Sequence, residues 1–349
     1  MRKEKKIKIG ISIGDLNGIG GELIVRTFSD NRLLEFCTPV VFASTKIMSF
    51  LKKHFQSSIS IHGINDASHA VDGKLNVVNV WKHDVNIDFG KETLEAGQHA
   101  LESLKAAVAS IKANEVDVLV TAPINKHNIQ SEDFKFPGHT DFLNQELEGD
   151  SLMFMVSNTL RVGLLTDHVP VGDVPQHLNE TLILKKINLI HHSLEQDFAL
   201  RAPKIAVLGV NPHTGDSGVI GSEDDTILRP TLEKIKASGK LIYGPYAADS
   251  FFGSNNYQNF DAIVATYHDQ GLIPFKTLTF GNGVNYTAGL CKVRTSPDHG
   301  TAYDIAGKGI ANIDSFKEAI FVGIEIYRNR TMDAELKQNP LRKQVKTRK

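Results

Sequence analysis

A chain of 349 residues is long enough for two lobes with separate cores, since domains typically run to ~100–200 residues. Its 39 basic and 40 acidic side chains leave a formal net charge of −1, so there is no basic footprint for nucleic acid and a small-molecule partner is favoured. Cys37 and Cys291 lie far apart with no C-x-x-C spacing, which predicts neither a disulfide framework nor a zinc cluster and fits a reducing cytoplasm.

No run approaches the ~18 consecutive apolar residues of a membrane span. The basic residues Arg2 to Lys6 precede an apolar stretch that Lys8 interrupts and Asp15 ends, so this segment reads as a first strand rather than a secretory signal. The basic end, residues 341–349, reads as a solvated tail.

Ile7 to Ile13 predicts a strand, followed by Gly14-Asp15-Leu16-Asn17-Gly18-Ile19-Gly20-Gly21-Glu22 and an apolar-periodic helix over 23–28. Such a loop can present N–H groups to an anion, yet it matches neither G-x-G-x-x-G nor the P-loop, and a tight structural turn stands beside the binding reading. The pattern then gives a strand over 38–43, a helix over 45–54, β-like runs at 59–61 and 75–80, and a helix over 97–112. A buried strand over 116–120 ends in Thr121-Ala122-Pro123-Ile124-Asn125-Lys126.

At Pro137-Gly138-His139-Thr140-Asp141 a histidine beside a helix start is usually a cap or a packing residue, but the glycine leaves donors free for a phosphate. Three more histidines each follow an apolar run: His168 after 161–166, His213 after 205–210, and His268 after 262–265. A parallel sheet puts such ends on one side, where open α/β sheets bind ligands. They could share a metal or be unrelated loop residues, because their separation carries no local ligand signature. His191-His192 reads as surface, since adjacent residues on a helix diverge by ~100°.

Lys276, Asn285 and Arg294 could offer an ammonium, an amide and a planar guanidinium to an anionic substrate. The segment from Tyr267 to Gly271 reads as a polar turn, and Arg294 to Gly300 as a second polar loop before a helix from Ala302. The recurring unit of buried strand, polar loop and helix argues for an α/β class.

These segments resemble the 4-hydroxythreonine-4-phosphate dehydrogenase family of vitamin B6 biosynthesis. The family carries TAPINK, PGHTE, GPLPADTLF, YHDQGLIP, a lysine, a VN pair and RTSPDHGTAFDIAGKG, in that order. Here Asp141 replaces the Glu, Tyr303 replaces the last Phe, Cys291 stands where Pro is usual, and GDPAGIGPE becomes a loop with Leu16, Asn17 and Gly21. The likeness covers roughly Ile9 to Ala319.

The resemblance implies the isocitrate/isopropylmalate dehydrogenase-like fold, two α/β lobes with a cleft between them. One lobe would be built from both chain ends, 1–125 plus 290–349, and the other from 126–289. That fold binds NAD without the G-x-G-x-x-G loop. The implied reaction, in the cytoplasm, is oxidation by NAD, or NADP, of 4-phosphooxy-L-threonine to 2-amino-3-oxo-4-phosphooxybutanoate. This product decarboxylates to 3-amino-2-oxopropyl phosphate, toward pyridoxal 5'-phosphate. Also implied are a homodimer and one divalent ion per site, zinc, magnesium or cobalt, on His168, His213 and His268 drawn from both subunits. His139, Thr140, Lys276, Asn285 and Arg294 would contact substrate, and Asp249 and Asp269 are the candidate proton acceptors.

Two other readings compete. Relatives with these motifs oxidise threonate or erythronate phosphates or cis-dihydrodiols. A metal-dependent phosphohydrolase would use the same histidines and anion-binding groups, though no bridging carboxylate for a two-metal site is evident.

Overall fold

The computed structural model describes residues 6–131, 134–136 and 138–338; Arg2 to Lys5, Pro137 and the basic tail lie outside the described residues. Its strands are β1 (Ile7–Ser12), β2 (Cys37–Ala43), β3 (Ile61–Ile64), β4 (Leu75–Asn79), β5 (Val118–Thr121), β6 (Gly149–Val156), β7 (Arg161–Leu164), β8 (Lys204–Leu208), β9 (Leu241–Tyr246), β10 (Ala262–Ala265), β11 (Val284–Leu290) and β12 (Val293–Pro297). The helices are α1 (Gly20–Thr27), α2 (Leu33–Phe36), α3 (Thr45–His54), α4 (Leu94–Lys112), α5 (His139–Glu146), α6 (Val174–His177), α7 (Glu180–Gln196), α8 (Arg229–Ala237), α9 (Ala248–Gly253), α10 (His268–Leu278) and α11 (Asp314–Gln338).

All twelve strands form one sheet in the order β3-β4-β2-β1-β5-β12-β11-β6-β7-β10-β8-β9. The first six run parallel, as do β7, β10, β8 and β9. Between these groups β11 pairs antiparallel with both β12 and β6, and β6 antiparallel with β7, so the two parallel groups run in opposite senses. The fully buried runs of β2 and β10 are the signature of parallel strands covered on both faces. One hydrophobic cluster extends along a whole face, from Ile9 and Val41 to Val207 and Val264, while the opposite face holds two separate clusters.

Three local expectations are corrected. His268 to Leu278 is the helix α10, not a turn. Of the expected loop Arg294 to Gly300, residues 294–297 instead belong to the buried strand β12, because hydrogen bonds to β5 and β11 absorb their polar backbone. No helix starts at Ala302. That residue has φ 44°, Gly307 and Gly309 have φ 76° and 72°, and turns continue until α11 begins at Asp314.

Helix α11 lies across β5, β12 and β11 and reaches α7, which packs on β11 and β6, so the two helices cover the place where the strand direction reverses. It approaches closely because Gly323 has no Cβ; one there would sit 2.7 Å from Val118 Cγ1. Near its carboxyl end Arg330 Nε donates to Asp197 Oδ1 at 2.7 Å, while Ser193 Oγ and the Tyr286 hydroxyl each donate to Asp197 Oδ2 at 2.6 Å. Asp197 is 1% exposed, so this pair is buried. Removing one partner from a buried pair strands the other charge, which costs more than the pair contributes. Arg330→Met should lower the unfolding free energy by about 3 kcal/mol. Urea denaturation measures this, and a change within ~0.5 kcal/mol would show that α11 is not held through Asp197.

Candidate active site

A cavity of about 290 Å³ opens where the strand direction reverses. Its most constrained member is Arg294 of β12, which is 2% exposed. The guanidinium donates to Thr121 Oγ1 on β5 through Nη2 at 2.6 Å and Nε at 3.2 Å, and through Nη1 to Thr287 Oγ1 on β11 at 3.0 Å. Neutral hydroxyls on both neighbouring strands thus hold the fork, and among the described residues no carboxylate compensates it. Burial alone pushes its pKa down to about 9. A buried cation with no counter-charge is costly, and it is found where an anion is to be bound.

His139 opens α5, with Gly138 as the residue before it. Its Nε2 is buried and has no partner within the protein. Burial first, and then the positive charges of Arg294 and Lys126, hold its imidazole well below the usual range, so it is neutral. Asn285 Oδ1 on β11 and His299 Nε2 are likewise buried without partners. Lys276 of α10 lines the same cavity and pairs with Asp298 Oδ1 at 3.1 Å. Burial raises the Asp298 carboxyl above its ordinary value, against the pull of Lys276.

The sequence-derived substrate contacts His139, Thr140, Lys276, Asn285 and Arg294 all line this one cavity, with His168. The ring centroids of His168 and His268 are 5.9 Å apart. Two imidazoles ligating one ion at ~2.0–2.1 Å place their centroids roughly 5–6.5 Å apart, so this pair fits a shared cation. His268 Nδ1 donates to Asp269 Oδ1 at 2.7 Å, which orients the ring and leaves Nε2 free. His213 does not join them. It is exposed in a left-handed turn, φ 54°, and no group of three or more ligating side chains assembles among the described residues.

Asp249 and Asp269 do not line the cavity of Arg294. Both are exposed and face a different, mostly apolar hollow beside Phe252, Ile273 and Leu278. Of the two carboxylates lining it, Asp141 is exposed and Asp298 is half-buried; Asp298 and His299 stand where the sequence reads as a loop, and Lys126 in a polar turn. The signal for Asp298 was its place two residues after a β-like Arg294-Thr295-Ser296, had that run been taken as a strand.

The unusual glycine loop has a clear structural account. Asp15 is buried, and its Oδ2 accepts from the Tyr303 hydroxyl at 2.8 Å and from Asn128 Nδ2 at 2.7 Å. The Asn17 side chain ties the loop to residues 88–93, donating to Lys91 O and accepting from Asp88 N. Gly21 allows α3 to pack closely, since a Cβ there would lie 2.5 Å from Leu51 Cδ1. Asn17 and Gly21 hold the loop against its neighbours, and among the binding and structural readings the turn's structural role is the one its contacts display.

Residues 35–323 match the family described as pyridoxal phosphate biosynthetic protein PdxA. A 4-hydroxythreonine-4-phosphate dehydrogenase of Bacteroides thetaiotaomicron is 48% identical over 344 residues, covering 98% of this chain and 94% of that protein. A D-threonate 4-phosphate dehydrogenase of Cupriavidus necator is 35% identical over 327 residues, 92% of this chain and 98% of that one. Among solved structures, a 4-hydroxythreonine-4-phosphate dehydrogenase from Klebsiella pneumoniae aligns with TM-score 0.79 and 30% identity, over 93% of this chain and 100% of that chain.

The depressed His139 gives a testable sign. Its folded value lies below the unfolded ~6.5, so the stability it confers is complete above that pH and is lost as pH falls from there through the folded value. His139→Gln should flatten the decline in unfolding free energy between about pH 7.5 and about pH 5.5. Urea titrations at both pH values measure it; an equally steep decline would assign the loss to other groups, such as His299, which burial also lowers.

Proposed function

The chain belongs to the pyridoxal phosphate biosynthetic protein PdxA family, with the isocitrate/isopropylmalate dehydrogenase-like fold, and from that premise we propose that it oxidises 4-phosphooxy-L-threonine with NAD. The product, 2-amino-3-oxo-4-phosphooxybutanoate, loses CO2 to give 3-amino-2-oxopropyl phosphate, a step toward pyridoxal 5'-phosphate. The observation that carries this reading is the buried, uncompensated Arg294, which shares one cavity with His139, Asn285, Lys276 and His168.

In this reading the protein's own groups bind and orient. Arg294 and Asn285 grip an anionic end of the substrate with His139 beside them, and their fixed geometry lets the bound pose approach the reactive one. Neutral His139 can donate or accept at Nε2 without adding charge. His168 and His268 would hold the divalent cation, with Asp269 setting the His268 tautomer. The nicotinamide cofactor would lie in the adjoining hollow of about 330 Å³, which shares Lys276, Asp298 and His299 with the substrate cavity and adds Gly281, Gly283 and Asn312. When bound, these groups supply a Lewis acid that lowers the pKa of a substrate hydroxyl and an acceptor for hydride. The Lys276–Asp298 pair, rather than Asp249 or Asp269, is the couple placed to exchange the substrate proton.

We also assign a homodimer. Ile273, Leu278 and Phe280 at the end of α10 are 64%, 46% and 89% exposed, and Val219 beyond His213 is 81% exposed, an apolar surface that a second copy would cover. Because His168 and His268 meet within one chain, His213 is the ligand that a partner subunit would supply. No helix among the described residues is long and apolar enough to cross a membrane.

The first test is a panel of phosphorylated four-carbon acids, including D-threonate 4-phosphate, followed for NADH and CO2 together. Phosphooxythreonine should have the highest kcat/KM and release one CO2 per NADH; NADH without CO2 from the best substrate would overturn the assignment. For the shared site, His168→Ala and His213→Ala should each be inactive, and mixing them under subunit exchange should restore part of the activity. Heterodimers confirmed by mass spectrometry that stay inactive would place all three histidines in one chain's site.

A further inference from the structure

We infer that Lys126 selects for the phosphate ester, binding the phosphate together with Arg294 at the amino end of α5. This rests on the reading of the substrate as a phosphorylated acid. Lys126 follows β5 on the turn that carries Pro123 and Ile124 into the cavity. Its stem runs past the start of α5, with Cε 3.7 Å from the point where a Cβ on Gly138 would be. A Cβ at 138 would be in ordinary van der Waals contact with that stem, so the lysine passes directly over the helix start. The helix end adds its free N–H groups and the positive end of its dipole, and the buried Nε2 of His139 is there without a partner.

Charge balance distinguishes this lysine from the other cations. A phosphate monoester carries about −1.5 to −2 near pH 7, more than one guanidinium neutralises. Lys276 is already paired with Asp298, so it brings little net charge. Lys126 has no acidic partner among the described residues, and the remaining acid of the lining, Asp141, is exposed and pairs with neither Lys126 nor Arg294. Lys126 and Arg294 line the same cavity as His139, and after burial both of their charges oppose its protonation, so the two cations face the same part of the cavity. The substrate carboxylate, with its single charge, is left to the Lys276 end.

Lys126 is exposed, so replacing it leaves the core intact. In the holoenzyme, Lys126→Met should lower the ratio of kcat/KM for 4-phosphooxy-L-threonine to that for 4-hydroxy-L-threonine by about 10- to 100-fold, as for loss of a charge-assisted hydrogen bond. Lys126→Arg should recover much of that ratio. Competitive inhibition by inorganic phosphate should weaken in parallel in Lys126→Met. An unchanged ratio, or equal losses on both substrates, would show that Lys126 only supports the turn and would overturn the inference. If the unsubstituted enzyme oxidises neither compound, the functional reading fails separately. Calorimetry with inorganic phosphate then decides for Lys126, whose replacement must still weaken binding.

Discussion

The site depends on a guanidinium buried without a counter-charge. Arg294 could have been neutralised by any nearby carboxylate, and the fold gives it two threonine hydroxyls instead. Those hydroxyls fix the fork without satisfying its charge, so the protein carries a standing electrostatic cost that an anionic ligand relieves. Burial first, and then the charges of Arg294 and Lys126, keep His139 neutral, which prevents a second uncompensated charge in so small a space. In the proposed reading, folding stability and the binding of an anion are linked through this one side chain.

Holding such a residue requires a rigid frame, and the sheet provides it. Arg294 sits on β12 between β5 and β11, at the place where parallel pairing gives way to antiparallel. At that reversal the connecting segments diverge, as at a topological switch point, and leave a crevice. Helix α11 covers β5, β12 and β11 and is pinned through Arg330 to Asp197 at the end of α7, which packs on β11 and β6, so the reversal itself is braced. The charge that is satisfied here, far from the cavity, contrasts with the one left open inside it.

A second polar frame supports the other wall. Asp15, Asn17, Asn128 and Tyr303 join four separated segments around the glycine loop. Asn128 belongs to the same turn as Lys126, so this network also fixes where the cavity's open cation begins. Departures from the family wording at Asn17 and Tyr303 each add a hydrogen bond, and Gly21 gives α3 room. They bear on how the loop is braced, and none of them lines the cavity.

Much of this was legible in the chain itself. Apolar runs such as 38–43 and 262–265 announced buried strands, because periodicity reports burial that is local in sequence. The motif wording pointed to the family and to five residues, His139, Thr140, Lys276, Asn285 and Arg294, that the fold brings to one cavity. The tertiary structure alone decided the rest. Arg294 lies in a strand because partners more than a hundred residues away absorb its polar backbone, which no local pattern records. Asp298, not Asp249 or Asp269, faces the cavity, since exposure and direction depend on how α9 and α10 dock. Ala302 to Gly309 look helical by composition but carry left-handed turns set by close backbone approach. Residue types and their order are properties of the chain, whereas which charges are paired and which are left open is settled only when distant segments are packed together.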